Sequence, residues 1–391
     1  MNGILPNVVA ALDFSTLPQQ VVNGLLLGAI YALIALGYTM VYGVLKLINF
    51  AHGEVYMLGA YVALLTSWKM GYTSDHPDMG ASLTNLVIMF LACIIICAII
   101  GILIERFAYR PMRNTSRIAS LITAIGVSLF LQYGGALVLP VSPPPSISDR
   151  VNPYTGAPKF TLKAPDQAVL QQVATAKPAF DSSKKTFDDY LATNHIDEFN
   201  LPPAGITLRD KANDAERTYR DAQRRADISG VSVTVQTGQI IMFGMAVFLM
   251  IVLRILVMNT PAGRAMRAVS HDFDSASLMG INVNKTIVFT FALGSGLAGA
   301  GAMMTATFLS TPLTTFYGME AGVKAFTAAV LGGIGNVPGA VLGGLLMGVA
   351  EYMVVWAGYS SYRDAIAFVI LIIVLLFKPG GLLGSSKVEK V

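Results

Sequence analysis

The sequence predicts an all-α membrane protein, a polytopic helical bundle with about eight to nine hydrophobic segments. Hydrophobic residues make up 54% of the 391 residues and charged residues only 13%, whereas soluble domains carry about 25%. Several uninterrupted apolar runs reach the roughly 20 residues that cross a bilayer. One of the segments is predicted to be short or re-entrant, and one long polar stretch separates the two halves.

The hydrophobic segments define the order of the predicted elements. The predicted spans are 19–43, 45–67, 83–104, 119–140, 237–258, 287–309, a short 322–335, 338–357 and 363–378. They divide the chain into N-terminal transmembrane helices (1–140), a polar insert (141–236) and C-terminal transmembrane helices (237–391). A polar connection at 259–286 interrupts the last of these regions.

Positively charged loops predict the orientation in the membrane. Segment 105–118 contains Arg110 and Arg113, and segment 259–286 contains Arg264 and Arg267. Short loops rich in Arg and Lys stay in the cytoplasm. The N-terminus and the insert are therefore expected on the outer side and the C-terminus in the cytoplasm. The long insert is exempt from the charge rule, because long loops cross largely regardless of charge.

The sequence lacks the motifs of enzymatic chemistry. It has no GxxxxGK[ST] phosphate loop, so ATP hydrolysis is expected on a separate subunit. No HExxH or GxSxG motif is present, and no cofactor or metal is predicted. Cys93 and Cys97 lie at helical spacing in one apolar run, which favours small packing residues over a disulfide. The net charge of +4 indicates no nucleic-acid partner.

The run GGIGNVPG breaks the pattern of a regular helix. It places several glycines, an asparagine and a proline within residues 332–339. Irregular backbone at membrane depth is tolerated where it is buried in protein or lines a wet cavity. The candidates for a translocation pathway in this run are Gly332, Gly333, Gly335 and Asn336.

Polar residues inside two other apolar segments are further pathway candidates. His52 and Glu54 are expected about two turns into the second span, with Asn49 nearby, and Lys324 begins the broken segment. Such groups usually face the bundle interior or water. They either line the pathway or brace neighbouring helices. His52 and Glu54 are two positions apart, so each is expected to find its own partner.

The polar insert contains one clearly helical stretch. Residues 207–227 combine strong helix formers with few apolar residues, and Glu216 lies one turn before Arg220. This pattern predicts a solvated helix with ion pairs. A docking surface for an external partner is the alternative interpretation.

The connection 259–286 is predicted to form two short helices. Thr260 and Pro261 start the first, Asp274 caps the second, and Gly280 ends it in the left-handed conformation. Either this is a generic surface loop or it docks a cytoplasmic subunit.

The stretch GRAMRAVSHDFDSASLMGI resembles the coupling loop of ABC importer permeases, which sits in a groove of the ATPase subunit. The residues that carry the pattern are Gly263, Arg264, Ala265, Arg267, Ala268, Asp272, Ala276, Gly280 and Ile281. Segments 28–61, 105–113 and 324–340 narrow the resemblance to the high-affinity branched-chain amino acid permease of the LivH type. The resemblance covers about 1–140 and 236–391, and the insert departs from it.

The resemblance implies a permease subunit of an ATP-driven importer in the bacterial inner membrane. The implied partners are a second permease subunit, two cytoplasmic ATP-binding subunits and a periplasmic substrate-binding protein. The implied substrates are leucine, isoleucine and valine. Urea or a short amide is an alternative substrate, because related permeases carry these compounds. Two competing hypotheses are a proton-coupled secondary transporter and a membrane-anchored interaction protein.

Overall fold

The computed structural model describes residues 14–72, 82–113, 115–140, 153–154, 156–194, 201–309 and 313–384. The described residues form two compact units. The insert unit consists of Pro158–Thr234 with the described part of Met1–Gln20, and the membrane unit consists of the described parts of Val21–Ala157 and Val235–Val391. Nearly all regular structure is helical, which confirms the predicted all-α polytopic bundle.

Helices, numbered in chain order, overlap every predicted span. They are α1 Leu17–Leu45, α2 His52–Lys69, α3 Leu83–Ile104, α4 Arg117–Val138, α5 Gln167–Asn194, α6 Pro203–Ser229, α7 Thr237–Asn259, α8 Pro261–His271, α9 Phe273–Leu278, α10 Val283–Phe308, α11 Tyr317–Gly332, α12 Val337–Trp356 and α13 Ala365–Phe377. Among the described residues, six of these helices are long and apolar enough to cross a membrane: α1, α3, α4, α7, α10 and α12. The segments α2, α11 and α13 are more polar or shorter.

The second predicted span is wrong at its start. The α2 helix begins at His52 and not at residue 45, because Lys46 adopts the left-handed conformation (φ 56°) and the chain turns before it resumes a helix. His52 and Glu54 therefore occupy the first turn of α2. They still lie deep in the bundle, since a Cβ at Gly37, midway along α1, would overlap the His52 ring.

Small residues bring the central helices into close contact. Gly24 and Gly28 of α1 meet Gly344 and Gly348 of α12, where added Cβ atoms would collide with backbone. Lipid is as apolar as leucine, so close packing rather than hydrophobic burial drives such contacts. The buried core lies among α1, α2, α3, α10 and α11.

Cys93 and Cys97 belong to a second glycine contact. The Cys93 thiol lies 3.4 Å from the carbonyl oxygen of Gly59, and the Cys97 thiol lies beside Gly299. Both cysteines are free and buried, which confirms their role as packing residues.

The peripheral helices α4 and α7 expose most of their apolar side chains. Phe130 on α4 and Phe248 on α7 are exposed, whereas most of α1 and α10 is buried. A solvated monomer rarely presents an apolar surface of this extent. Lipid or another subunit is the environment that this surface fits.

A buried carboxylate organises one end of the membrane unit, here termed the Lys46 end. The α3 helix continues through a π turn, Glu105–Tyr109, and Glu105 is fully buried. It accepts hydrogen bonds from Arg110 at 3.0 Å and from Arg113. Arg113 also donates to Asn284, at the start of α10, over 2.6 Å.

The insert unit is a helical hairpin with a short sheet. Strands β1 (Lys159–Lys163) and β2 (Val231–Thr234) pair antiparallel, and α5 packs against α6. The ring of Phe180 stacks on Tyr219 with centroids 5.5 Å apart. The predicted helix at 207–227 lies within α6 and is largely exposed, and the predicted ion pair between Glu216 and Arg220 is confirmed.

Candidate translocation and coupling sites

The first turn of α2 carries His52 and Glu54 on different faces. The Glu54 carboxylate accepts a hydrogen bond from the Ser128 hydroxyl of α4 at 3.2 Å through one oxygen, and its other oxygen has no partner among the residues that the structure describes. His52 packs edge-on against the Tyr38 ring, with centroids 4.7 Å apart. The two side chains do not pair with each other, as the sequence predicted.

Glu54 opens onto a cavity of about 210 Å³, here called the Glu54 cavity. The cavity lies between α2, α4 and α11, and its walls are mostly apolar. Its lining residues are Tyr38, Phe50, Gly53, Glu54, Ile125, Ser128, Leu129, Gln132, Gly318, Met319, Gly322, Val323 and Phe326. The side-chain nitrogen of Gln132, one of these lining residues, is buried without a hydrogen-bond partner in the described part of the chain.

Asn49 has a structural position away from this cavity. Its side-chain oxygen accepts a hydrogen bond from the Tyr109 hydroxyl at 2.9 Å, and the residue is buried. The contact ties the turn between α1 and α2 to the π turn that extends α3. The Asn49 side chain therefore holds these two segments together.

Lys324 is the centre of a charged cluster. Its ammonium group lies 2.6 Å from the Asp364 carboxylate, 3.0 Å from that of Glu320 and 3.5 Å from that of Glu351. Arg363 donates to the fully buried Glu351 at 2.9 Å. Because opposite charges from the three helices lie within ion-pair distance, the cluster holds α11, α12 and the start of α13 together.

A second cavity, the Lys324 cavity, has a volume of about 500 Å³. Its lining residues are Leu27, Ile30, Tyr31, Tyr56, Thr305, Leu309, Thr314, Phe316, Tyr317, Glu320, Ala321, Lys324, Tyr352 and Arg363. The residues of α11 that line it, such as Glu320 and Lys324, lie on the helix face opposite to Met319 and Phe326 of the Glu54 cavity. The α11 helix therefore separates the two cavities.

The broken run after α11 contacts the C-terminal segment. Gly333 and Gly335 adopt φ values of 106° and 92°, which side chains other than glycine rarely adopt. The amide of Leu383 donates to the carbonyl of Gly332 at 3.0 Å, and the Asn336 side chain donates to the carbonyl of Leu383 at 2.7 Å. Asn336 also caps α12 through the amide of Gly339. Gly332, Gly333 and Asn336 thus lie against chain 380–384, whereas Gly335 lies near Gly43 of α1, and none of the four lines either of these two cavities.

The connection 259–286 forms the two predicted short helices, α8 and α9. Thr260 caps α8 with Pro261 at its first position, as predicted. The predicted cap of α9 is wrong: Asp272, and not Asp274, accepts the Ser275 amide at 2.8 Å, because α9 begins at Phe273. That hydrogen bond lowers the pKa of Asp272, so the cap is ionised at neutral pH.

Most of the predicted coupling residues shape this connection. Gly263 lies against the carbonyl of Val257, and Arg267 donates to the same carbonyl. Ala276 is buried, and Gly280 has a φ of 82° where α9 ends. The amide of Ile281 then donates to Ala276 at 3.0 Å. Of the predicted set, Arg264 stays exposed without such a structural contact.

The exposed tip of the connection consists of Leu278 and Met279. Their side chains are 88% and 83% exposed, although both are large and apolar. Sequence reasoning did not single them out, because the exposure of a short helix depends on how it packs in the tertiary structure. It also missed Ser128 and Gln132, whose importance depends on the contact of α4 with α2.

The fold and these sites define a class, the multi-pass membrane permeases without an ATP-hydrolysing motif of their own. The family described as "Branched-chain amino acid transport system / permease component" matches residues 20–160 and 203–375. The chain belongs to this family. The match leaves out 161–202, which includes α5, and it extends further into the insert than the resemblance at 1–140 and 236–391 indicated.

Two curated relatives are similar in sequence to this chain over nearly its full length. The chain is 36% identical over 375 residues to the high-affinity branched-chain amino acid transport system permease protein BraD of Pseudomonas aeruginosa, covering 95% of this chain and 97% of that protein. It is 34% identical to the corresponding permease LivH of Escherichia coli K12, with the same coverage. The ribose import permease RbsC of Haemophilus influenzae is 30% identical over 34% of the chain. No solved structure matches.

Proposed function

We propose that the chain is the translocation subunit of an ATP-driven importer of leucine, isoleucine and valine. A second permease subunit, two cytoplasmic ATP-binding subunits and a periplasmic substrate-binding protein complete the assembly. The names of the relatives BraD and LivH support the substrate class. In this proposed arrangement, the N-terminus and the insert lie in the periplasm and the C-terminus lies in the cytoplasm.

The exposed apolar tip of the α8–α9 connection carries the proposal. Leu278 and Met279 project between two membrane helices, with Arg264 exposed on the same connection. Large apolar side chains that water would otherwise surround are typical of a protein interface. An ATP-binding subunit that covers them would transmit its movement through α8, whose base is fixed to α7 by Gly263 and Arg267.

Substitution at the tip tests the coupling. Leu278→Asp is expected to abolish co-purification of the ATP-binding subunits, because it places a charge in a desolvated contact. Leu162→Asp is the matched control, since Leu162 is also exposed but belongs to the insert unit. Deletion of 261–281 should have the same effect as Leu278→Asp. Normal co-purification of the ATP-binding subunits with Leu278→Asp and with the deletion variant would contradict the proposal.

Uptake by the reconstituted assembly tests the substrate. Labelled leucine should accumulate only with ATP and the binding protein, and labelled urea should not accumulate. Accumulation of urea instead of leucine would change the proposed substrate. Uptake by this chain alone, abolished by a protonophore, would identify a secondary transporter.

Surface labelling tests the orientation. Cysteine is introduced as Leu278→Cys or as Lys184→Cys on α5, and the native Cys93 and Cys97 are buried and so give little background. An impermeant maleimide should label Leu278→Cys only in inside-out vesicles and Lys184→Cys only in right-side-out vesicles. The reverse pattern would refute the arrangement.

A further inference from the structure

The two cavities differ in whether a cation lies near their carboxylates. Beside the Lys324 cavity, the Asp364, Glu320 and Glu351 carboxylates lie 2.6 to 3.5 Å from the Lys324 ammonium group, although one Glu351 oxygen makes no hydrogen bond within the described part of the chain. In the Glu54 cavity, one carboxylate oxygen of Glu54 and the amide nitrogen of Gln132 have no partner in the described structure, and both residues are at least nine-tenths buried. Leaving a buried polar group unpaired is costly, so such a group beside a cavity is normally satisfied by a ligand or by an ordered water.

The two unpaired atoms have complementary chemistry. The unpaired Glu54 oxygen is a carboxyl oxygen that accepts hydrogen bonds, which suits a primary ammonium group. The Gln132 nitrogen donates, which suits a carboxylate. Ser128, the partner of Glu54, precedes Gln132 by one helical turn on α4, a rise of about 6 Å. A zwitterion that bridges Glu54 and Gln132, which line the same cavity, would place each charged group at about 2.9 Å from its partner.

The remaining walls of the cavity suit an aliphatic side chain. Phe50, Leu129, Val323 and Phe326 line it, and they offer no charge. Its volume of about 210 Å³ is below the roughly 300–1,000 Å³ of sites for drug-sized ligands. A small molecule with one apolar branch fills this space.

We propose that the Glu54 cavity binds a branched aliphatic amino acid as a zwitterion, with the ammonium group on Glu54 and the carboxylate on Gln132. This inference rests on the proposed function and assigns its substrate a resting place within this subunit. The α11 helix forms one wall through Met319, Val323 and Phe326, so a movement of α11 would open or close the site. Gln132 and Ser128 of α4 are specificity residues in this scheme.

Photolabelling tests the position of the site. L-photo-leucine, a leucine analogue with a diazirine in its side chain, is irradiated with the complex of permease and ATP-binding subunits. The binding protein is omitted because it would select the amino acid itself. Labelled peptides should contain Ile125–Gln132 or Met319–Phe326, and excess leucine should suppress the labelling.

Competition by leucine analogues tests the two charged contacts. Leucinol lacks the carboxylate and 4-methylpentanoate lacks the ammonium group. Each should compete about tenfold less well than leucine, the amount expected for loss of one hydrogen bond to a charged group. In Gln132→Leu, leucinol should compete as well as leucine. In Glu54→Gln, 4-methylpentanoate should compete as well as leucine. Gln132→Leu serves if Glu54→Gln does not fold, because α4 is mostly exposed.

A control variant separates the two cavities. Glu320→Gln changes a carboxylate on the opposite face of α11 and should leave labelling and competition unchanged. The inference would be overturned if the label fell on Lys324-cavity residues such as Tyr317. It would also be overturned if Glu54→Gln and Gln132→Leu both discriminated between leucine and its analogues as the wild type does. If the wild-type assembly transports leucine and the label still falls elsewhere, this inference fails and the proposed function stands. Absence of leucine transport by the wild type would refute both.

Discussion

The buried carboxylates of the membrane unit differ in whether a cation neutralises them. Glu105 pairs with Arg110 and Arg113, and Glu351 pairs with Arg363 and lies near Lys324. Within the described part of the chain, Glu54 has only the Ser128 hydroxyl as a partner. A carboxylate with nearby cations is stable in the interior and fixes helices, whereas one without them needs a ligand or water. We therefore assign structural roles to the first two and propose a functional role for Glu54.

Loss of the Glu105 carboxylate should destabilise the protein. Glu105→Leu leaves two arginines facing an apolar side chain at the Lys46 end, and removing one partner of a buried pair costs about 3 kcal/mol. We expect this decrease in the free energy of unfolding, measured by SDS titration in mixed micelles. Glu216→Gln on the exposed face of α6 should change it by less than about 1 kcal/mol. Equal effects of the two substitutions would contradict this assignment.

Helix packing in the membrane unit depends on where glycines meet backbone. The contact of α1 with α12 leaves no space at Gly348, since a Cβ there would collide with the backbone of Gly24 and Gly28. Gly126 on α4 has no atom within 4 Å of an added Cβ. The same type of residue therefore has opposite roles on a central and on a peripheral helix.

Alanine substitutions at these two glycines should change stability in opposite directions. Gly348→Ala forces α1 and α12 apart and is expected to cost about 1–3 kcal/mol, as overpacking does. Gly126→Ala should stabilise the helix by about 0.5–1 kcal/mol, because alanine loses less conformational entropy than glycine. Thermal unfolding in detergent measures both. A lowered melting temperature for Gly126→Ala would show that α4 has a packing partner at that position.

The whole molecule consists of a membrane unit of the family type with an added insert unit. The family match stops at residue 160 and resumes at 203, so α5 falls outside it. The chain leaves and re-enters the membrane unit at neighbouring points, since the Thr237 amide donates to the carbonyl of Gly156 at 2.7 Å. An insertion between points so close leaves the surrounding helices in place.

Replacement of the insert unit should leave the membrane unit folded. A four-residue Gly-Ser linker between Ala157 and Val235 spans the short distance that the contact of Gly156 with Thr237 maintains. The shortened chain should co-purify with the ATP-binding subunits at wild-type yield. Leucine uptake by the shortened assembly then reports whether the insert takes part in docking the binding protein. Aggregation of the shortened chain would show that the two units fold together.

The sequence by itself determined the class, the spans and the helical connection at 259–286. Those features depend on local composition, on periodicity and on caps such as Thr260, which act over a few neighbouring residues. Tertiary structure decided what each polar residue does. Asn49 and Asn336 hold neighbouring segments together, and Lys324 is part of an ion-pair cluster. Glu54 keeps an oxygen without a partner among the described residues and lines the same cavity as Gln132. The physical reason is that a buried charge is defined by its partners, and these lie on helices far away in sequence.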